Sequence, residues 1–161
     1  MKKRVMITVF SCISVLWVGF IWMNSMQVGA VSGEMSGSLT ESINQFFGQF
    51  IDGFYISGIF VRKLAHFLEF SMLALALCFD YYFIFGIDKQ SENKKLSLVG
   101  LAFPTAFAVA CIDESIQLFV DGRIGTPIDV LIDSSGALLA TSIFLSVLVM
   151  RKNRKNKREA L

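Results

Sequence analysis

The side chains of this chain that can move protons or hold ligands sit inside apolar stretches, in three groups. His66 and Glu69 lie in one stretch, Asp113, Glu114 and Gln117 in the next, and Asp129 and Asp133 in the last. Ionisable groups in hydrocarbon are costly, so a chain that places several at one depth has a use for them. Arg62, His66 and Glu69 are spaced i, i+4, i+7, and share one helical face. Asp113 and Gln117 share another at i, i+4, with Glu114 displaced by about 100° around the helix. Asp129, Asp133, Gly136 and Ala140 run down a third, acids first and small residues after. The small pair lets a neighbouring helix approach closely.

Three chemistries are open to such a set. Arg62, Lys63 and Arg123 can pair with an anionic group while the carboxylates, His66 and Gln117 orient them or hold sugar and peptide polar groups. Alternatively, His66 can act as a general acid or base tuned by Glu69, or join carboxylates around a divalent metal that attacks a phosphoester. Against the metal, the chain has one His and no His-Glu-x-x-His spacing, so neither metal nor cofactor is expected. The third option is a salt-bridged bundle whose internal ions only fix helix register. No residue is singled out as catalytic, and the balance of these arguments leans away from an enzyme.

The elements that must position these residues are membrane helices. Of 161 residues, 54% are hydrophobic and 17% charged, too little charge to cover a soluble domain of this size. Four apolar runs, Val5 to Met23, Leu64 to Gly86, Leu96 to Phe119 and Ile128 to Met150, reach the roughly 20 residues needed to cross a bilayer. The expected fold is all-α, an integral membrane four-helix bundle forming one domain over residues 1–161. Pro104 should kink the third span, and Pro127 suits the first position of the fourth.

Twelve of the fifteen basic residues fall at the two ends of the chain and between spans two and three, including Lys89. Only Arg62, Lys63 and Arg123 fall on the other side. The positive-inside rule then puts both termini in the cytoplasm, and the polar groups near the outer face. The basic tail follows a span directly, and reads as an anchor on anionic lipid, not as a nucleic-acid arm. Val28-Gly-Ala30 resembles a signal cleavage site, but the preceding 19-residue apolar run with Trp17 and Trp22 reads as an uncleaved span. Cys12, Cys78 and Cys111 lie within spans and read as small buried hydrophobes, and Asp80-Tyr81-Tyr82 as an interfacial segment.

The loop from Asn24 to Ser57 is the long outer connection. Its Ser- and Gly-rich first half should be irregular. From Thr40, the apolar residues Ile43, Phe46, Phe47, Phe50, Ile51 and Phe54 predict a short amphipathic helix. A helix at the lipid interface and a lid packed on the bundle both satisfy that pattern.

Arg62-Lys63-x-x-His66-Phe-x-Glu69-Phe70, then Asp113-Glu114-x-x-Gln117, then Gly122-Arg123 with Asp129 and Gly136 beyond, resembles the VanZ-like family of bacterial membrane proteins. The resemblance covers nearly the whole chain. Asp121 departs from the family's usual proline, and Asp133 from its usual asparagine, which adds a negative charge. The resemblance implies a bacterial cell-membrane protein associated with low-level resistance to teicoplanin, a lipid-tailed glycopeptide. Its expected partners are membrane lipids or a lipid-linked cell-wall precursor, bound through Arg62, Lys63, His66, Glu69, Asp113, Glu114, Gln117, Arg123, Asp129 and Asp133. An intramembrane hydrolase or phosphatase acting on a lipid-linked substrate is the alternative.

The orientation is directly testable. A cysteine at Ser36, in a background lacking the native three, should react with an impermeant reagent in intact cells, and one at Ser91 should not. Labelling at Ser91 instead of Ser36 reverses the topology.

Overall fold

A computed structural model describes residues 2–85 and 92–159 of the chain. Lys89 and the expected end of the second span at Gly86 lie outside the described residues. Those described form six helices in order: α1 (Lys2–Ser25), α2 (Gly29–Gly48), α3 (Gly58–Ile84), α4 (Glu92–Val99), α5 (Ala102–Gln117) and α6 (Pro127–Glu159). Four segments are long and apolar enough to cross a membrane: Lys3–Ser25, Gly58–Ile84, Asn93–Gln117 and Pro127–Glu159. The chain is a multi-pass membrane protein with an all-helical bundle.

Side-chain placement is inverted relative to a soluble protein. Large apolar residues such as Leu16, Met72, Leu131 and Ile143 face outward, while Asp113, Glu114, Gln117 and Asp133 are buried. Water would penalise the first arrangement and hydrocarbon the reverse, so the surface suits lipid. Phe70, Leu73, Ala74, Cys78, Ala106, Ala110 and Ala137 fill the centre. The many alanines hold the helices close, which is how bundles pack when burial from lipid gives no hydrophobic gain.

Cross-helix contacts give the directions. Ser11 donates to Asp80 and Trp17 to the Glu69 carbonyl, so α1 runs antiparallel to α3. Lys63 meets Asp129 and Cys78 meets Thr141, so α3 and α6 are parallel. Tyr81 meets Thr105 and Arg62 meets Gln117, so α5 is antiparallel to both. The start of α1 and the end of α6 therefore share one end of the bundle, here called the terminal end. At the 1.5 Å rise per residue of a helix, the 33 residues of α6 extend well past a hydrocarbon core about 30 Å thick. Its basic last turns project from the terminal end.

Several expectations change. The third span is broken at Gly100 and Leu101, between α4 and α5, instead of bending at Pro104. The cause is still Pro104, which has no N–H for the Gly100 carbonyl and crowds it, so the ladder fails one turn earlier. Asp80, about one turn from the end of α3, turns into the bundle: it is buried at 7% exposure and accepts from Ser11 Oγ at 2.7 Å. Cys12 faces outward, and all three cysteines are free.

The segment before Thr40 is helical, not irregular. α2 begins at Gly29, whose N–H donates to the Asp121 carbonyl at 2.9 Å, with Gly122 packed against it. Gly122 holds φ +72, a left-handed conformation other residues adopt at a cost. This tertiary contact outweighs the weak helix preference of the Ser- and Gly-rich stretch. Farther along, Asn44 brackets Ile56 with two hydrogen bonds, and Thr40 lies against Gly58. The predicted helix ends early: α2 stops at Gly48, so Phe50, Ile51 and Phe54 lie in the turns beyond it, and Phe46, Phe47, Phe50 and Ile51 are all exposed.

Gly136 sets the α3–α6 separation. A Cβ there would lie 2.2 Å from the Phe67 carbonyl oxygen. Gly136→Ala should therefore destabilise the bundle by about 1–3 kcal/mol, through forced separation of α3 and α6. Gly37→Ala on α2, where nothing lies within 4 Å, should be neutral or stabilising by up to about 1 kcal/mol. Reversible unfolding in mixed micelles reads both; equal effects would contradict the close approach.

Candidate functional site

The end of the bundle opposite the termini collects every polar residue singled out above. α3 contributes Arg62, Lys63, His66 and Glu69; α5 contributes Asp113, Glu114 and Gln117; α6 contributes Asp129 and Asp133. Arg123 sits in the connection between α5 and α6. Each helix brings its polar residues from within two or three turns of one end, so antiparallel and parallel neighbours alike place them at the same level.

Gln117 is the hub. Its Nε2 donates toward Asp113 Oδ2 and Glu114 Oε1, both at 3.2 Å, and toward Ser25 Oγ at 3.4 Å. Its Oε1 faces Arg62 Nη2 at 3.4 Å. The two acids, although about 100° apart on the helix, thus meet at one amide. Ser25 Oγ donates to Asp113 Oδ1 at 2.6 Å, and the Thr126 N–H donates to Glu114 Oε2 at 3.0 Å. Both carboxylates are held by donors from outside their own helix.

Lys63 pairs with Asp129 at 2.7 Å. Asp129 also closes a reciprocal cap on α6, since its N–H donates to Thr126 Oγ1 at 3.1 Å while that hydroxyl donates to Asp129 Oδ2 at 2.8 Å. The Thr126-x-x-Asp129 spacing before an apolar run is the sequence signature of such a box. His66 does not turn to Arg62 or Glu69 along its own helix. Its Nδ1 lies 3.5 Å from Asp133 Oδ1, at ion-pair distance but outside hydrogen-bond geometry. Glu69 instead faces Asn24 Nδ2 at 3.4 Å.

Arg123 is an anchor as well as a charge. Its Nε donates to the Gln27 carbonyl at 3.1 Å and its Nη2 to the Asn24 carbonyl at 2.7 Å. The Asn24 carbonyl also accepts from the Gln27 N–H at 3.2 Å, so Arg123 gives it a second donor and supplies one to Gln27 just past the end of α1. Burial, with Arg62 nearby, pushes the Arg123 pKa below its ordinary value, and Asp113, Glu114 and Glu69 push it back up. An arginine stays charged under any such shift.

Two of the cavities at this end are lined by several of these side chains. One of about 240 Å³ is lined by Arg62, Lys63, His66, Glu114, Gln117, Asp129 and Asp133, with Ile59, Ile124 and Ile132 at its apolar wall. The other, about 320 Å³, lies between Arg62, His66, Glu69 and Arg123 on one side and α2 on the other. α2 presents Ser32, Met35, Ser36 and Leu39 to it. Arg62 and His66 line both cavities. The first could seat a phosphate-sized group beside two cations. Separately, His66, Asp113, Glu114 and Asp133 offer one ligand atom each, all within 4.8 Å of one another, and could hold a metal ion.

Residues not anticipated are Asn24, Ser25, Thr126 and the Ser32–Leu39 face. Asn24 and Ser25 follow Trp22 at the end of an apolar run, where polar residues are ordinary. Ser32, Met35, Ser36 and Leu39 recur at helical spacing, a signal masked by the glycines around them.

If Gln117 ties the site together, Gln117→Leu should remove about 2–3 kcal/mol of stability, because it strips donors from two buried carboxylates. Gln45→Leu on α2, whose partner is the exposed Glu41, should shift it by no more than about 0.5 kcal/mol. Equal losses would show that the network is incidental.

Compared with known proteins, the chain matches the family model described as VanZ/LLP1 over residues 10–150, and it belongs to that family. No curated protein and no solved structure matches.

Proposed function

We propose that this member of the VanZ/LLP1 family binds the anionic head group of a membrane lipid or lipid-linked cell-wall precursor at the outer face of the bacterial cell membrane. The observation that carries the reading is Arg62. It lines both cavities, lies at the end of the bundle away from the basic termini, and its only side-chain partner among the described residues is the neutral Gln117. A guanidinium held this way keeps donors for two oxygens of a phosphate. Lys63 adds a second cation at the first cavity and Arg123 one at the second. The apolar walls and open sides suit an acyl or prenyl chain running from the head group into the bilayer.

In this reading, the carboxylates orient the cations and the sugar or peptide parts of the ligand. A role in lipoglycopeptide resistance follows if the bound precursor, or the lipid surface around it, becomes less available to a lipid-tailed drug. Arg123 acts here mainly by closing α1 onto the α5–α6 connection. The second reading, an intramembrane phosphatase or hydrolase, is favoured by the approach of His66 to three carboxylates. Turnover of a polyprenyl pyrophosphate by pure protein, abolished in His66→Ala, would establish it.

The binding test uses purified full-length protein in nanodiscs and a fluorescent polyprenyl phosphate. Arg62→Gln should weaken binding by about tenfold or more, the loss of one charge-assisted contact, while Arg62→Lys keeps part of it. In a teicoplanin-susceptible host, the same order should appear in any protection the gene confers. Binding by Arg62→Gln equal to that of the wild type would remove the anion-binding role.

A further inference from the structure

We propose that His66, Asp113, Glu114 and Asp133 form a binding site for one divalent first-row metal ion of the manganese or zinc type. The inference does not depend on the head-group reading, although His66, Glu114 and Asp133 also line the cavity that reading uses.

The four side chains come from three helices, α3, α5 and α6, and offer one imidazole nitrogen and three carboxylate oxygens. Asp113 and Asp133 are fully buried, and Glu114 nearly so. Asp133 is the independent pointer to a ligand. It is 0% exposed, and neither of its carboxylate oxygens has a hydrogen-bond partner. His66 Nδ1, 3.5 Å from Asp133 Oδ1, is likewise buried and unpartnered. Buried polar atoms in a folded protein are nearly all satisfied, so a fully buried carboxylate with no hydrogen bond, and only His66 at 3.5 Å beside it, points to a ligand.

A cation supplies what they lack. Two donor atoms about 3.4 Å apart are at the edge length of a tetrahedral site with bonds of about 2.1 Å. The His66–Asp133 separation of 3.5 Å matches that edge while being too long for a hydrogen bond. All four ligand atoms lie within 4.8 Å of one another, close to the roughly 4.2 Å diagonal of an octahedral site with such bonds.

The surroundings are those of supported ligands. Ser25 and Gln117 hold Asp113, and Gln117 and the Thr126 N–H hold Glu114, each leaving lone pairs for a metal. One imidazole with three carboxylates suits manganese or zinc better than magnesium or copper. His66, Glu114 and Asp133 also line the 240 Å³ cavity, so an ion held there has open positions toward it.

The test is metal binding, with no lipid or phosphate probe, so its outcome does not depend on the head-group assay. Chelator-stripped full-length protein is dialysed against Mn²⁺ or Zn²⁺ and its metal content measured. About one tightly bound ion per chain is expected, and Asp133→Asn should weaken binding at least about tenfold. Glu41→Gln, exposed on α2, should bind as wild type does. With Mn²⁺ bound, pulsed electron paramagnetic resonance should show coupling to a histidine nitrogen that His66→Gln removes. The chain has one His, so this signal is unambiguous if any affinity tag lacks histidine. Monodisperse wild-type protein that binds neither ion stoichiometrically, or Mn²⁺ bound without nitrogen coupling, overturns the site. Those two wild-type readouts decide the matter even if the variants fail to fold.

Discussion

Burying carboxylates among membrane helices is the constraint from which the rest of this structure follows. Asp113, Glu114 and Asp133 are taken out of both water and lipid. Each must then find donors or counter-charges on other helices, because its own helix has spent its backbone groups. That requirement brings α3, α5 and α6 to one level and draws in the ends of α1 and the α5–α6 connection. Ser25 and the Thr126 N–H reach Asp113 and Glu114 from outside α5, Gln117 bonds both from within it, and His66 lies 3.5 Å from Asp133. The network is expensive to maintain with apolar alternatives at hand, which argues for use and not mere stability.

Small residues make the arrangement possible. Gly136 lets the Phe67 backbone approach α6, and His66 on that same turn of α3 then reaches Asp133. Gly122 and Gly29 do the same at the mouth, joining α2 to the connection that carries Arg123. The break before Pro104 sets the segment bearing Asp113, Glu114 and Gln117 apart as the short helix α5. Cavity walls at one end thus depend on backbone features elsewhere in the fold.

Much of this was legible from residue order. Spans, their number and the clustering of polar groups follow from hydropathy and i, i+4 spacing, which operate within single helices. Two kinds of feature were not. The first is partner choice: spacing along α3 offered Glu69 to His66, and only the parallel packing of α3 on α6 brings in Asp133 instead. The second is helix formation driven by contact. The Ser- and Gly-rich stretch after Val28 has weak propensity, and its helix depends on Gly29 meeting the Asp121–Gly122 backbone, which is remote in sequence. The inward pairing of Asp80 was hidden for a related reason, since its partner Ser11 is an ordinary residue of another span.

The central claim is that the polar end of the bundle receives a head group. It is tested most directly by photo-crosslinking with a polyprenyl phosphate carrying a diazirine next to the phosphate. The account predicts labelling of peptides that contain Ile59, Ile124 and Ile132, the apolar wall beside Arg62 and Lys63, competed away by unlabelled polyprenyl phosphate. Label spread over outward residues such as Leu16 and Leu139, and insensitive to competitor, would contradict it.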